Sequence, residues 1–150
     1  MSYVFFTDRD LGKRFPEILN EAGLSVERHS DHFGPAATDE AWLEAVGRNG
    51  WIATTHDARI RYKPNELDAV VKHRVALLVV VGKTPFPDLA RSFVVTLPRI
   101  EKFLDAHTAP FIAKIYRGQA PDATDPSPGR IELWYPKQHP FERLLIRSFR

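Results

Sequence analysis

Val75-Ala76-Leu77-Leu78-Val79-Val80-Val81, closed by Gly82, decides the fold class of this chain. The run is apolar at every position and rich in β-branched residues. It reads as a strand covered on both faces, the position of a central strand in a parallel sheet. It is far too short to cross a bilayer, which takes about 20 residues. Working back from it, Pro64 opens a helix that runs to about residue 73, after a short helical turn over 57–62. Residues 51–55 form a strand. Thr38 is a natural N-cap for a helix that turns Trp42, Leu43 and Val46 inward and stops near Asn49-Gly50. Residues 29–37 hold Gly34 and Pro35 and read as a loop. A short strand over 24–28 precedes them. The spacing of Leu11, Phe15, Ile18, Leu19 and Ala22 predicts a helix over 11–22 with Gly23 as its C-cap. Residues 3–7 are the first strand.

Beyond Gly82, Pro85 and Pro87 break the chain, and residues 88–107 read as a helix that Pro98 could interrupt. Phe111, Ala113 and Ile115 alternate with Ile112, Lys114 and Tyr116 in a fifth strand. Residues 118–129 have the composition of a mobile loop, and a strand over 130–135 pairs back on 111–116 as a hairpin. The tail over 141–150 mixes apolar residues with arginines and suits a partner interface. Strands alternating with helices predict an α/β sandwich with a mostly parallel central sheet and a C-terminal β-hairpin and tail extension. The expected organisation is a main domain over 1–117, the loop over 118–129, and a strand and tail over 130–150 packed on the same domain.

Composition narrows the class. With 43% hydrophobic and 27% charged residues, a 150-residue chain can bury one ordinary core, which excludes general disorder. The formal charge is only +2, so any nucleic-acid surface has to come from local clustering. Cysteine is absent, which excludes disulfides and thiolate metal sites. No basic stretch leads into an apolar one at the N-terminus, so the expected location is cytoplasmic, with no membrane association.

Three acids stand where these elements meet. Asp8 ends the first strand, Asp57 follows the third, and Asp39 lies in the first turn of a helix. Open parallel sheets collect their active sites at the carboxyl ends of the strands. Carboxylates gathered there repel one another unless a divalent cation sits among them, and a hard cation prefers oxygen ligands. The pattern points to metal-dependent phosphoryl transfer. Each acid also has a plainer role: Asp8 or Asp10 can cap the helix near Leu11, Asp39 can answer the helix dipole, and Asp57 can cap the turn after it.

Phe5-Phe6-Thr7-Asp8, then Asp39-Glu40-Ala41-Trp42, then Thr54-Thr55-His56-Asp57 resembles the PIN-like nucleases over about residues 3–82. The likeness is closest to the compact branch that includes VapC-type toxins of prokaryotic toxin–antitoxin pairs. The resemblance implies a three-layer PIN-like sandwich in which Asp8, Asp39 and Asp57 are ligands of Mg²⁺ or Mn²⁺. It also implies hydrolysis of single-stranded or structured RNA. Such nucleases usually carry a fourth acid two positions beyond Thr-x-Asp, where this chain has Arg59, so Asp10 or Glu40 is expected to complete the catalytic set. The implied partners are an RNA substrate and a protein antitoxin, with a homodimer as a compatible assembly. Arg9, Lys13, Arg14, Arg59 and Arg61 flank the acids and suit phosphate contact without base readout. Tyr62 suits stacking on an unpaired base. Two other readings share the layout: a catalytically degenerate RNA- or protein-binding module, and a receiver-like phosphoacceptor domain built on Asp8, Asp10 and Asp57.

Overall fold

The computed structural model describes residues 2–118 and 127–137. β1 (Val4–Thr7) leads through a 3-10 turn at Arg9–Leu11 into α1 (Arg14–Glu21) and β2 (Ser25–Arg28). α2 (His29–His32) and α3 (Asp39–Asn49) precede β3 (Ile52–Thr55). A second 3-10 turn at Ile60–Tyr62 and α4 (Pro64–Lys72) lead to β4 (Ala76–Val81). α5 (Phe86–Ala106), β5 (Phe111–Tyr116) and β6 (Ile131–Tyr135) complete the order. The six strands lie in the order β2-β1-β3-β4-β5-β6. β1 to β5 run parallel, and β6 is antiparallel to β5, as the hairpin reading required.

Strand alternation splits the hydrophobic residues into two cores. Phe5, Leu78, Val80, Ala113 and Ile115 face one side and pack with Leu11, Phe15 and Leu19 and with Phe93 and Ile100 of α5. Phe6, Ala53, Leu77, Val79 and Ile112 face the other and pack with Trp42, Leu43 and Val46 of α3 and with Ala69 and Val70 of α4. Two covered faces explain why β4 shows no polar alternation. Each buried Leu, Val or Phe contributes roughly 1.5–3 kcal/mol, so the two cores together hold the three layers in place. The Phe6 ring stacks between Trp42 and Trp51, with centroids at 5.5 and 6.0 Å. That stack ties the first strand to α3, which carries Asp39.

Local structure departs from the sequence reading in three places. The helix expected over 11–22 is split, because Gly12 takes φ 72 and ends the 3-10 turn before α1 begins. The first four residues of the expected loop over 29–37 form a helical turn, where the His29 ring packs on Phe6 and Phe33. α5 starts at Phe86 and runs unbroken through Pro98. Pro98 lies on the exposed face of this helix. Most of the loop over 118–129 and all of the tail over 141–150 fall outside the described residues. Among the described residues no helix is long and apolar enough to cross a membrane.

α3 and α4 approach closely at Gly47. A Cβ built there would stand 2.0 Å from the His73 carbonyl oxygen, a backbone atom that cannot swing away. Helix propensity alone favours Gly47→Ala by about 1 kcal/mol. We expect the clash to win and the variant to lose roughly 1–3 kcal/mol, read as a lower urea midpoint at unchanged slope. A midpoint equal to or above wild type would contradict this packing.

Candidate active site

Thr54 and Thr55 are consecutive strand residues, so their side chains leave the sheet on opposite faces. Thr54 Oγ1 donates to the Phe6 carbonyl at 2.8 Å, while the Asp8 N–H donates to the Thr54 carbonyl at 2.9 Å. These bonds fasten the end of β1 to the end of β3. The connection reverses direction between these two strands: β1 passes to β2 on one side, and the chain then returns to β3 on the other. A crevice at the carboxyl ends of the strands follows from that reversal.

Thr55 is the hub of this crevice. Its buried hydroxyl accepts from the Asp57 N–H at 3.2 Å. It lies 2.8 Å from Oδ2 of Asp8 and 3.1 Å from Oδ2 of Asp10. A hydroxyl has one proton to give, so it serves one carboxylate at a time. Asp8 Oδ1 also accepts the Arg9 N–H at 2.7 Å, which caps the 3-10 turn, and the His56 N–H reaches both Asp10 oxygens at 3.1 Å. Burial, then the charge of Asp10, and more weakly that of Asp39, push the Asp8 carboxyl up to about 7 against the pull of the Thr55 and Arg9 hydrogen bonds. Withdrawal from water also raises Asp10, with a smaller push from Asp57, although the residue keeps one side open to solvent. Two neighbouring acids with raised proton affinity mark a place of uncompensated negative potential.

Asp57 is in the opposite state. Burial works to raise its pKa, but the Lys63 ammonium at 2.5 Å from Oδ2 and the Arg59 N–H at 3.0 Å from Oδ1 outweigh it and hold the carboxyl below the usual range. Lys63 is raised in turn, first by that hydrogen bond, and also feels the charge of Asp39. Asp39 Oδ1 accepts from Trp42 Nε1 at 2.9 Å, which fixes it to its own helix. Glu40, beside it, is exposed and takes no part in these hydrogen bonds.

Among the described residues no three Asp, Glu or His side chains converge closely enough to ligate one ion together. Asp8 feels the charge of Asp39, but Asp8, Asp39 and Asp57 form no single ligand shell, and the acid that joins Asp8 at a common donor is Asp10. The donor set still suits a small hard cation. Mg²⁺ keeps several waters and is bound through one or two carboxylates, and Asp8 and Asp10 supply two, with no nitrogen or sulfur ligand required.

The expected phosphate contacts divide. Arg9 donates to the Pro35 carbonyl at 2.6 Å and, with Lys13, lines a cleft beside Asp8. Arg14 pairs with Glu17 at 2.5 Å and Glu21 at 3.8 Å, along α1. Arg59 is largely exposed, 4.0 Å from Asp57. The Arg61 side chain lies outside the described residues. Tyr62 packs edge-on against Trp134, with ring centres 6.0 Å apart. Sequence reasoning placed Thr55 in a motif without giving it a role and did not pair Lys63 with Asp57. A lysine next to the helix-opening Pro64 carries no local signal of a partner six residues back.

A family model described as a PIN like domain matches residues 3–82. No curated protein and no solved structure matches the chain significantly.

The raised Asp8 carboxyl has a stability consequence. The folded protein binds this proton more tightly than the unfolded chain, so between about pH 4 and pH 7 the metal-free fold loses stability as pH rises. Asp8→Asn removes that penalty. Without divalent ions we expect the variant and wild type to melt alike near pH 4. Near pH 8 the variant should gain on the order of 1 kcal/mol, discounted for the partly solvated pair. A parallel pH dependence of the two melting temperatures would show Asp8 to be an ordinary carboxylate.

Proposed function

This chain belongs to the PIN-like domain family, and on that premise we propose that it is a Mg²⁺- or Mn²⁺-dependent endoribonuclease acting as the toxin of a toxin–antitoxin pair. Family membership supports nuclease-type function in general. The observation that carries the finer reading is the Asp8–Thr55–Asp10 cluster, two acids of raised proton affinity on one hydroxyl at the sheet's switch point.

Hydrolysis joins a water oxygen to phosphorus and releases the ribose oxygen with a proton. Asp8 and Asp10 would hold the ion, which when bound neutralises phosphoryl oxygens and makes a water more acidic. Thr55 orients the pair, and its own orientation is set by the Asp57 N–H. Lys63 keeps Asp57 ionised and adds a fixed positive charge near Asp39. Arg9 and Lys13 on one side and Arg59 on the other offer charge to the phosphates flanking the bond that breaks. Glu40 and Arg14 stand outside this scheme. The antitoxin would insert near the acidic pocket, and a homodimer is compatible with the reading.

Purified protein should cleave labelled single-stranded RNA with Mn²⁺ or Mg²⁺ and not with EDTA. Asp8→Asn and Asp10→Asn should each lower the rate by 100-fold or more. Millimolar Mn²⁺ should raise the melting temperature of wild type and leave both variants where they were. RNA binding without cleavage in any metal would point instead to a binding-only member of the family.

A further inference from the structure

Beside the carboxylates, the ends of β1 and β2 and the start of α1 enclose a cleft of about 270 Å³ lined by Asp8, Arg9, Lys13, Arg28, His29 and Ser30. Its walls bring three permanent cations together with a single carboxyl, that of Asp8. Among the described residues none of Arg9, Lys13 and Arg28 forms an ion pair, whereas Arg14 is committed to two glutamates and Lys63 to Asp57. Cations crowded into one concave place repel one another, and an anion placed among them relieves that repulsion.

The other walls agree with an anion. Arg9 is anchored on the Pro35 carbonyl through one guanidinium nitrogen, so its fork is held in place with donors to spare. Ser30 is exposed and brings a hydroxyl. His29 is only 3% exposed, and its Nδ1 has no hydrogen-bond partner among the described residues, a state that buried polar atoms rarely keep. Burial, then the charge of Arg9, lowers its pKa, so the ring adds no fourth charge to the wall at neutral pH.

We propose that this cleft is a phosphate-binding subsite, in which Arg9, Lys13 and Arg28 hold a phosphate of the substrate next to the one under attack. It rests on the nuclease reading only for the molecule that carries the phosphate. The cleft shares Asp8 with the carboxylate cluster, so a phosphate seated there sets which neighbouring linkage lies over Asp8 and Asp10. Arg28 and His29, at the end of β2, thereby become residues that position the chain to be cut.

The test is made in EDTA, which withholds the divalent ion that the proposed cleavage requires. Wild type is titrated with inorganic phosphate, with a nucleoside 5′-monophosphate and with a dinucleoside monophosphate lacking terminal phosphates, followed by calorimetry and by the His29 ring signals in NMR. We expect saturable binding that shifts those signals, weakened at least tenfold in Arg28→Ala, partly restored in Arg28→Lys and unchanged in Arg14→Ala. Melting curves check that all variants are folded. Tighter binding of the monophosphate would identify a chain-end phosphate as the occupant, and tighter binding of the dinucleoside an internal one. Absence of saturable binding, or equal losses in Arg28→Ala and Arg14→Ala, overturns the subsite. RNA cleavage without phosphate binding would sink this inference alone, and phosphate binding without cleavage would sink the nuclease reading alone.

Discussion

The Thr55 hydroxyl can give its proton to Asp8 or to Asp10 but not to both at once, and the chemistry of the crevice depends on that constraint. The hydroxyl oxygen is held by the Asp57 N–H, and its residue is the buried last position of β3. The strand is tied in turn, because Thr54 is bonded to β1 and the residue that ends it in both directions. Backbone pairing deep in the sheet thus becomes a fixed relation between two carboxyl groups at its edge. The cost is a pair of acids that hold protons more tightly than they would in water, a state that favours any cation able to replace those protons.

Asp57 shows how the same crevice can satisfy an acid internally. Lys63 reaches it from the turn before α4, so the acid stays charged and its neighbourhood stays near neutrality. The site is consequently asymmetric. One pole has negative potential left over, and the other has already found its positive partner. Arg59 adds to the second pole and not the first.

Much of this was legible in the sequence because burial leaves simple marks. The uninterrupted β4 run identified a two-sided sheet, and the Thr38 cap and strand-end aspartates put Asp8, Asp39 and Asp57 at one end of it. The departures arose where tertiary contact overrides spacing. Leu11 kept its apolar place in the helical pattern although Gly12 turns the backbone away, and the His29 turn is held by rings from β1 and from Phe33. Asp10 could be weighed but not chosen, because its link to Asp8 passes through a side chain 45 residues away. The pairing of Lys63 with Asp57 crosses a turn that no local pattern marks.

The sheet order has a metric consequence. The basic cleft stands at the ends of β2 and β1, the carboxylate pair between β1 and β3, and the Lys63–Asp57 pair just past the end of β3. Neighbouring strands repeat at about 4.8 Å, a spacing imposed by backbone hydrogen bonds and insensitive to side chains. Strand spacing therefore acts as a ruler across the crevice, laying out the basic cleft, the acid pair and the Lys63–Asp57 pair in a set order. Side-chain substitution can erase a mark on that ruler, but it cannot rescale it.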